Sequence, residues 1–428
     1  MTDEGERTEQ REPSKLAWRW ASRNRTPRSQ RGRKKLFRFG LLPRILVAII
    51  LGILLGLVLT EPWVRVFVTF NGVFGQLLGF LIPFIIIGLV LPAIGEIGRT
   101  AGRLLLLTVA VAYLDTVMCG LLSYGTGRWL FPGLVTQVSG AGVTTEAAQA
   151  IEPYFKIQIP AMFDVMSALV FSFMVGLCVA YGHLPTLRLA AVEFREVITK
   201  TIHRLIIPLL PLYIFGIFLE MTVSGQAWRI VSVFARVIVV IFVLHILILL
   251  YQFCVAGAVT RRNPLRLLWN MLPAYMTALG TSSSAATIPV TLQQTRKNGV
   301  SEGVAGFCVP LCATIHMSGS AMKIVACALT ICLLEGLPFD FGVFLHFVLM
   351  LGIVMVAAPG VPGGAIMAAL APLASILGFD NSQQALMIAL YIAMDSFGTA
   401  CNVTGDGAIA LIIDRLRPLK RKNDISED

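Results

Sequence analysis

A chain of 428 residues with 56% hydrophobic and only 14% charged residues is excluded from the ordinary soluble class, where about a quarter of residues carry charge. Its formal charge of +11 gathers in the N-terminal segment and in short loops on one side of the apolar runs, which is a membrane pattern and argues against nucleic acid. The 8 cysteines are scattered through apolar segments without a CxxC pair, so neither a disulfide framework nor a zinc site is implied.

Residues 1–40 turn from acidic to basic and cannot bury a core, which reads as a disordered cytoplasmic tail with Trp18 and Trp20 near the interface. The apolar run from Leu41 has spanning length and no small-residue cleavage site, and reads as a retained helix. Spans are expected at 42–61, 66–96, 103–131, 156–182, 190–223 and 228–258, each at least the ~20 residues that cross a bilayer. Basic residues fall on alternate sides. Arg99, Arg103, Arg188, Arg195, Lys200, Arg204, Arg261, Arg262, Arg266, Arg296, Lys297 and the cluster after Asp414 share one side, which puts both termini in the cytoplasm.

The stretch Gly280–Thr291, GTSSSAATIPVT, cannot be an ordinary lipid-facing helix, because irregular backbone at that depth must be buried or line a cavity. Its flanking loops, 261–266 and 296–297, lie on the same side, so 267–295 enters and returns. By the same count 341–378, interrupted by APGVPGGA at 358–365, enters and returns from the opposite side. Spans at 301–334 and 383–414 follow the two hairpins, and 416–428 is a second cytoplasmic tail. The fold expected is an all-α polytopic membrane protein of eight transmembrane helices plus two oppositely oriented re-entrant hairpins. Such inverted repeats bring broken-helix ends together near the midplane.

Four motifs in order, TSSSAATIPVT (281–291), ATIHMSGSA (313–321), GVPGGA (360–365) and MDSFGTACNVTGD (394–406), resemble the dicarboxylate/amino acid:cation symporters, the glutamate-transporter-like family. The resemblance implies a homotrimer with an elevator mechanism, its scaffold at 42–96 and 156–223 and its transport domain at 103–131 and 228–415. It implies that Ser283, Ser284, Pro362, Gly363, Asp395, Thr399 and Asn402 bind a small substrate. Asp395 would meet an amino group, and Asp406 with the carbonyls of Gly319 and Asn402 would coordinate sodium. The function implied is symport of a small neutral amino acid or a carboxylate with sodium; the alternatives are a proton-coupled dicarboxylate symporter and a passive anion channel. No cofactor beyond the coupling ion is expected, and the partners are the solute and the lipid bilayer of the cell membrane.

The chain departs from the family at several positions. Ser282 and Gly398 stand where acidic-substrate members carry an arginine, which disfavours glutamate and aspartate because no guanidinium fork is present. His316, Met317, Ser318, Gly319, Ser320 replace Asn-Met-Asp-Gly-Thr, removing a sodium-binding aspartate. Matching through Gly102 and Arg103 puts Asp115 and Thr116 near a second sodium site. A lone ammonium in an apolar run is costly, so Lys323 is expected either to pair with Asp115 in place of that ion or to face the interface while Asp115 keeps it. His316 reads as a hydrogen-bonding replacement for asparagine or as a proton-coupling site. Asp164, His245 and His346 read as packing or interfacial groups. Ser320 and Lys323 fit an S-x-x-K spacing, but S-D-N and K-T-G are absent, and no enzyme is expected.

Overall fold

Where hydrocarbon surrounds a chain, its backbone must satisfy itself, and a helix does so within one segment. The computed structural model describes residues 41–97, 103–139, 151–163, 165–182, 184–225, 227–358 and 363–416, and all regular structure among them is helical. In chain order the helices are α1 (Leu41–Gly56), α2 (Glu61–Ile97), α3 (Arg103–Ser139), α4 (Val165–Tyr181), α5 (Pro185–Thr201), α6 (Ile207–Val223) and α7 (Ala227–Thr260). Then come α8 (Pro264–Thr281), α9 (Ser284–Lys297), α10 (Glu302–Ile315), α11 (Ser318–Glu335), α12 (Phe341–Ala357), α13 (Gly364–Leu377), α14 (Asn381–Ala393) and α15 (Asp395–Leu416).

Among the described residues six stretches are long and apolar enough to cross a membrane, including Glu61–Gly95, Leu104–Val135, Pro185–Val223 and Glu302–Glu335. At 37 residues each, α2 and α3 extend about 55 Å, longer than a hydrocarbon core of about 30 Å. The expected first and fourth spans appear as helices of 16 and 17 residues. The fourth begins at Val165 instead of 156. Residues 151–163 form no helix; Pro153 and Pro160 remove amide donors there, and the amides of Tyr154 and Ile159 donate to Thr69 Oγ1 at 2.9 Å and Gln76 Oε1 at 3.3 Å on α2. The fifth span starts earlier than expected, at Pro185, and runs through a π-helical turn, Ile202–Ile206, into α6. Pro208 and Pro211 follow that turn, where missing amide hydrogens loosen the ladder.

Two spans are broken. The chain leaves helix at His316 and Met317 between α10 and α11, and again at Met394 between α14 and α15. Between α8 and α9 the chain turns at Ser282 and Ser283; Ser282 sits in the left-handed region with φ 50°, a conformation uncommon for a residue with a side chain. α12 and α13 pack on each other, with α13 beginning after Gly363 at φ 75°.

Helix α15 is the hub: α7, α8, α9, α10 and α11 all pack on it. An apolar cluster of Phe253, Leu267, Met271, Cys308, Val403 and Ile409 fills the space between α15 and its neighbours. Elsewhere α1 packs on α6, α2 on α4 and α5, and α3 on α11, the last fixed where Ser123 Oγ donates to the carbonyl of Met322 at 2.8 Å. Outward faces are apolar as lipid requires: Leu46, Ile50 and Leu54 on α1 and Val239, Val243 and Ile246 on α7 are exposed.

Candidate substrate and ion site

The Met394 break and the two hairpins meet at the start of α15, and the His316–Met317 break lies about two to three turns further along it, at Asn402 and Asp406. Ser282, at the turn of the α8–α9 hairpin, has its hydroxyl 2.6 Å from that of Ser396. Gly363, heading α13, donates its amide hydrogen to Asp395 Oδ2 at 3.0 Å. Adjacent residues of one helix therefore hold both hairpins. The helices α9, α11, α13 and α15 begin beside these breaks and turns, and a helix N-terminus favours negative charge.

Asp395, Thr399, Asn402 and Asp406 lie on α15 within about 16 Å of rise and all are buried. Each is held by hydrogen bonds within the chain. Asn402 Oδ1 accepts from the amides of Gly319 at 2.8 Å and Ser320 at 3.3 Å, and its Nδ2 donates to Ser320 Oγ at 3.1 Å. It caps α11, whose own leading residue Met317 makes no side-chain cap, and so satisfies amides that a helix start leaves open. Gly319 thus faces Asn402 through its N–H. Thr399 donates to the carbonyl of Asp395 at 3.0 Å and Thr116 to that of Ala112 at 2.8 Å, each within its own helix. Ser283 Oγ accepts from the Ala286 amide at 3.3 Å as the cap of α9, and Ser284 is buried beside it. Pro362 lies outside the described residues, as do Asp164 and both tails (1–40 and 417–428).

The ionisable groups form two sets. In the first, the ring of His316 stands between two carboxylates, its Nε2 2.8 Å from Asp115 Oδ2 and its Nδ1 2.9 Å from Asp406 Oδ1. Asp115 Oδ2 also accepts from Gln252 Nε2 at 2.6 Å, which reaches Ser318 Oγ at 3.0 Å. A neutral imidazole carries one N–H and an imidazolium two, so both contacts are hydrogen bonds only when this trio holds an additional proton. In the second set, Lys323, with 0% exposure, donates to the carbonyl of Met394 at 3.2 Å and to Asp395 Oδ1 at 3.3 Å. Its Nζ also lies 3.6 Å from the centre of the Tyr391 ring, a cation–π contact strengthened by the absence of water.

The charge pair expected between Asp115 and Lys323 is therefore not formed. Lys323 rises from α11 toward the α14–α15 break, where it meets Asp395 and the Met394 carbonyl, which also accepts from the Gly398 amide at 3.2 Å, whereas α3 brings Asp115 to the α10–α11 break and His316. Space explains the first choice: a Cβ on Gly398 would stand 2.6 Å from Lys323 Nζ and 2.8 Å from its Cε. The position that lacks an arginine is the volume the lysine occupies. Among the described residues His245 is packed in α7 with neither ring nitrogen bonded. Gln252, Tyr391 and Ser396 were not expected in the site; a glutamine inside the run LILLYQFCV was the available signal, since polar groups at that depth are costly.

Residues 41–416 match the sodium:dicarboxylate symporter family. Over 317 residues, 70% of this chain and 58% of the relative, the chain is 27% identical to excitatory amino acid transporter 1 of Rattus norvegicus. It is 31% identical over 179 residues, 39% of this chain and 32% of the relative, to neutral amino acid transporter B(0) of Rattus norvegicus. With an excitatory amino acid transporter of Caenorhabditis elegans it shares 26% identity over 265 residues, 60% of this chain and 52% of the relative. The matched regions thus span 32% to 58% of these relatives' own lengths.

Proposed function

Because the chain belongs to the sodium:dicarboxylate symporter family, we propose that it is a secondary transporter moving a small amino acid or carboxylate across the cell membrane together with a cation. The observation that carries this reading is the double attachment at the start of α15, where Ser396 meets one hairpin and Asp395 the other. A solute held there touches both hairpins, and each can open the site to one side of the membrane in turn. The amides of the first turn of α9, with the hydroxyls of Ser283 and Ser284, receive a carboxylate. Eight spans and two opposed hairpins, both termini in the cytoplasm, a homotrimer and an elevator movement of 103–131 and 228–415 past 42–96 and 156–223 complete the proposal.

Charge supports coupling to a cation. Among the described residues the basic side chains bonded to Asp115, Asp395 and Asp406 are Lys323 and His316, and a buried carboxylate in excess of its cations is stabilised by an entering positive charge. Sodium, which takes oxygen ligands, is the ion the family's description names. Asp406 and the backbone carbonyls of Gly319 and Asn402 are its proposed ligands once His316 turns aside.

A proton is the second reading, favoured by one observation: His316 already bridges Asp115 and Asp406, the place a second cation would take. Uptake of serine, threonine, alanine, aspartate, glutamate and succinate into proteoliposomes under imposed sodium or proton gradients tests both. Sodium coupling predicts uptake that follows the sodium gradient and persists when the proton gradient is collapsed. Proton coupling predicts the reverse, and uptake indifferent to both gradients contradicts the proposal.

A further inference from the structure

Both oxygens of the buried carboxylate nearest both hairpins are already engaged, one of them by a cation. Asp395 Oδ1 receives the ammonium of Lys323 at 3.3 Å, and Oδ2 receives the Gly363 amide at 3.0 Å. The other two carboxylates of the centre are likewise engaged, Asp406 by His316 and Asp115 by His316 and Gln252. What the junction offers beyond these pairs is donors, namely the hydroxyls of Ser283 and Ser284 and the leading amides of α9. A solute with its own ammonium would need a carboxylate partner in a place closed to water, and would find one already neutralised with a second ammonium beside it. Burying an unmatched charge is among the costliest changes a protein site can undergo. A carboxylate without an amino group brings no second cation.

The lysine is built into this position. It is fully buried, three contacts fix its ammonium (Asp395, the Met394 carbonyl and the Tyr391 ring), and Gly398 leaves the room its Nζ needs. Tyr391 is itself held by Ser320, hydroxyl to hydroxyl at 3.0 Å. We propose that Lys323 is a specificity-determining residue, a built-in ammonium that occupies Asp395 and excludes solutes bringing their own, so that small carboxylates lacking an amino group are the transported class. The inference rests on the transport reading above and narrows its substrate.

The test compares solutes sharing a carbon skeleton: lactate with alanine, glycerate with serine, malate with aspartate. The full chain, Lys323→Met and Gly398→Ala are each reconstituted, uptake is measured under the driving ion gradient, and binding is followed in parallel by thermal shift in detergent. The wild-type protein is expected to prefer the non-amino member by at least about tenfold, the ratio that 1.4 kcal/mol gives. Lys323→Met frees Asp395 and moves the ratio toward the amino acid by a similar factor. Gly398→Ala crowds Nζ away from the carboxylate and moves it the same way by less, and it decides the matter if Lys323→Met does not fold. A lysine that only stabilises the fold would leave the ratio unmoved. Wild-type preference for the amino members, an unchanged ratio in the folded variants, or no binding of any non-amino carboxylate overturns the proposal. Preferential binding without accumulation would instead overturn the transport reading and leave the specificity standing.

Discussion

Lys323 and Asp395 share a place that water does not reach, and their worth to the fold differs from their worth to recognition. Removing one member of a buried pair strands the other, at a cost of about 3–5 kcal/mol, whereas removing both together is far cheaper. Unfolding of detergent-solubilised protein is therefore expected to show Lys323→Met strongly destabilised and Lys323→Met/Asp395→Asn restored most of the way. Equal losses in the single and double variants would mean that the pair is not formed. The charged members of the centre were legible in sequence, because Asp115, His316, Lys323, Asp395 and Asp406 are ionisable groups in apolar runs. Their partners were not. Whether Lys323 meets Asp115 or Asp395 depends on how α3, α11 and α15 cross, and no local pattern carries that. Gly398 was readable as a missing arginine but not as the room a lysine from another helix would fill.

Broken helices expose amides that something must satisfy, and the elements here answer this in different ways. Asp380 closes a capping box at the head of α14, and Asn263 accepts from the amides of Leu265 and Arg266 at the head of α8, both within their own chain segment. α11 is capped from outside by Asn402 of α15. Asn402→Leu should therefore cost about 1–3 kcal/mol, the penalty of leaving buried donors unmet, while Thr399→Val, which removes a bond inside one helix turn, should cost less. Thermal midpoints of the two variants check this, and an order reversed between them would contradict the capping role. Both hairpins were readable from proline, glycine and serine inside apolar runs. The His316 and Met394 breaks were not, because no proline stands at either; tertiary partners, Asp115 with Asp406 at one and Lys323 at the other, hold them open.

Among the described residues, apolar side chains point outward from α1 and α7 while the buried charged side chains, Lys323, Asp395 and Asp406, gather at one interior junction. That is the distribution expected of a protein dissolved in lipid that handles a polar solute inside. Contacts join the helices into one unit from Leu41 onward, so the proposed movement of one helix group past another is a change within that unit. Alternation of basic loops made the sequence of spans readable. Shortening of the fourth span was hidden, because Tyr154 and Ile159 find their partners on α2. The central claim is that solute movement is driven by a cation through this junction. It is tested most directly by the internal-to-external ratio of lactate or malate in sealed proteoliposomes given a tenfold inward cation gradient. With one cation coupled, the ratio should climb toward about tenfold and collapse when an ionophore dissipates the gradient. A ratio that stops at equality and ignores the ionophore would contradict the account and indicate a passive pore.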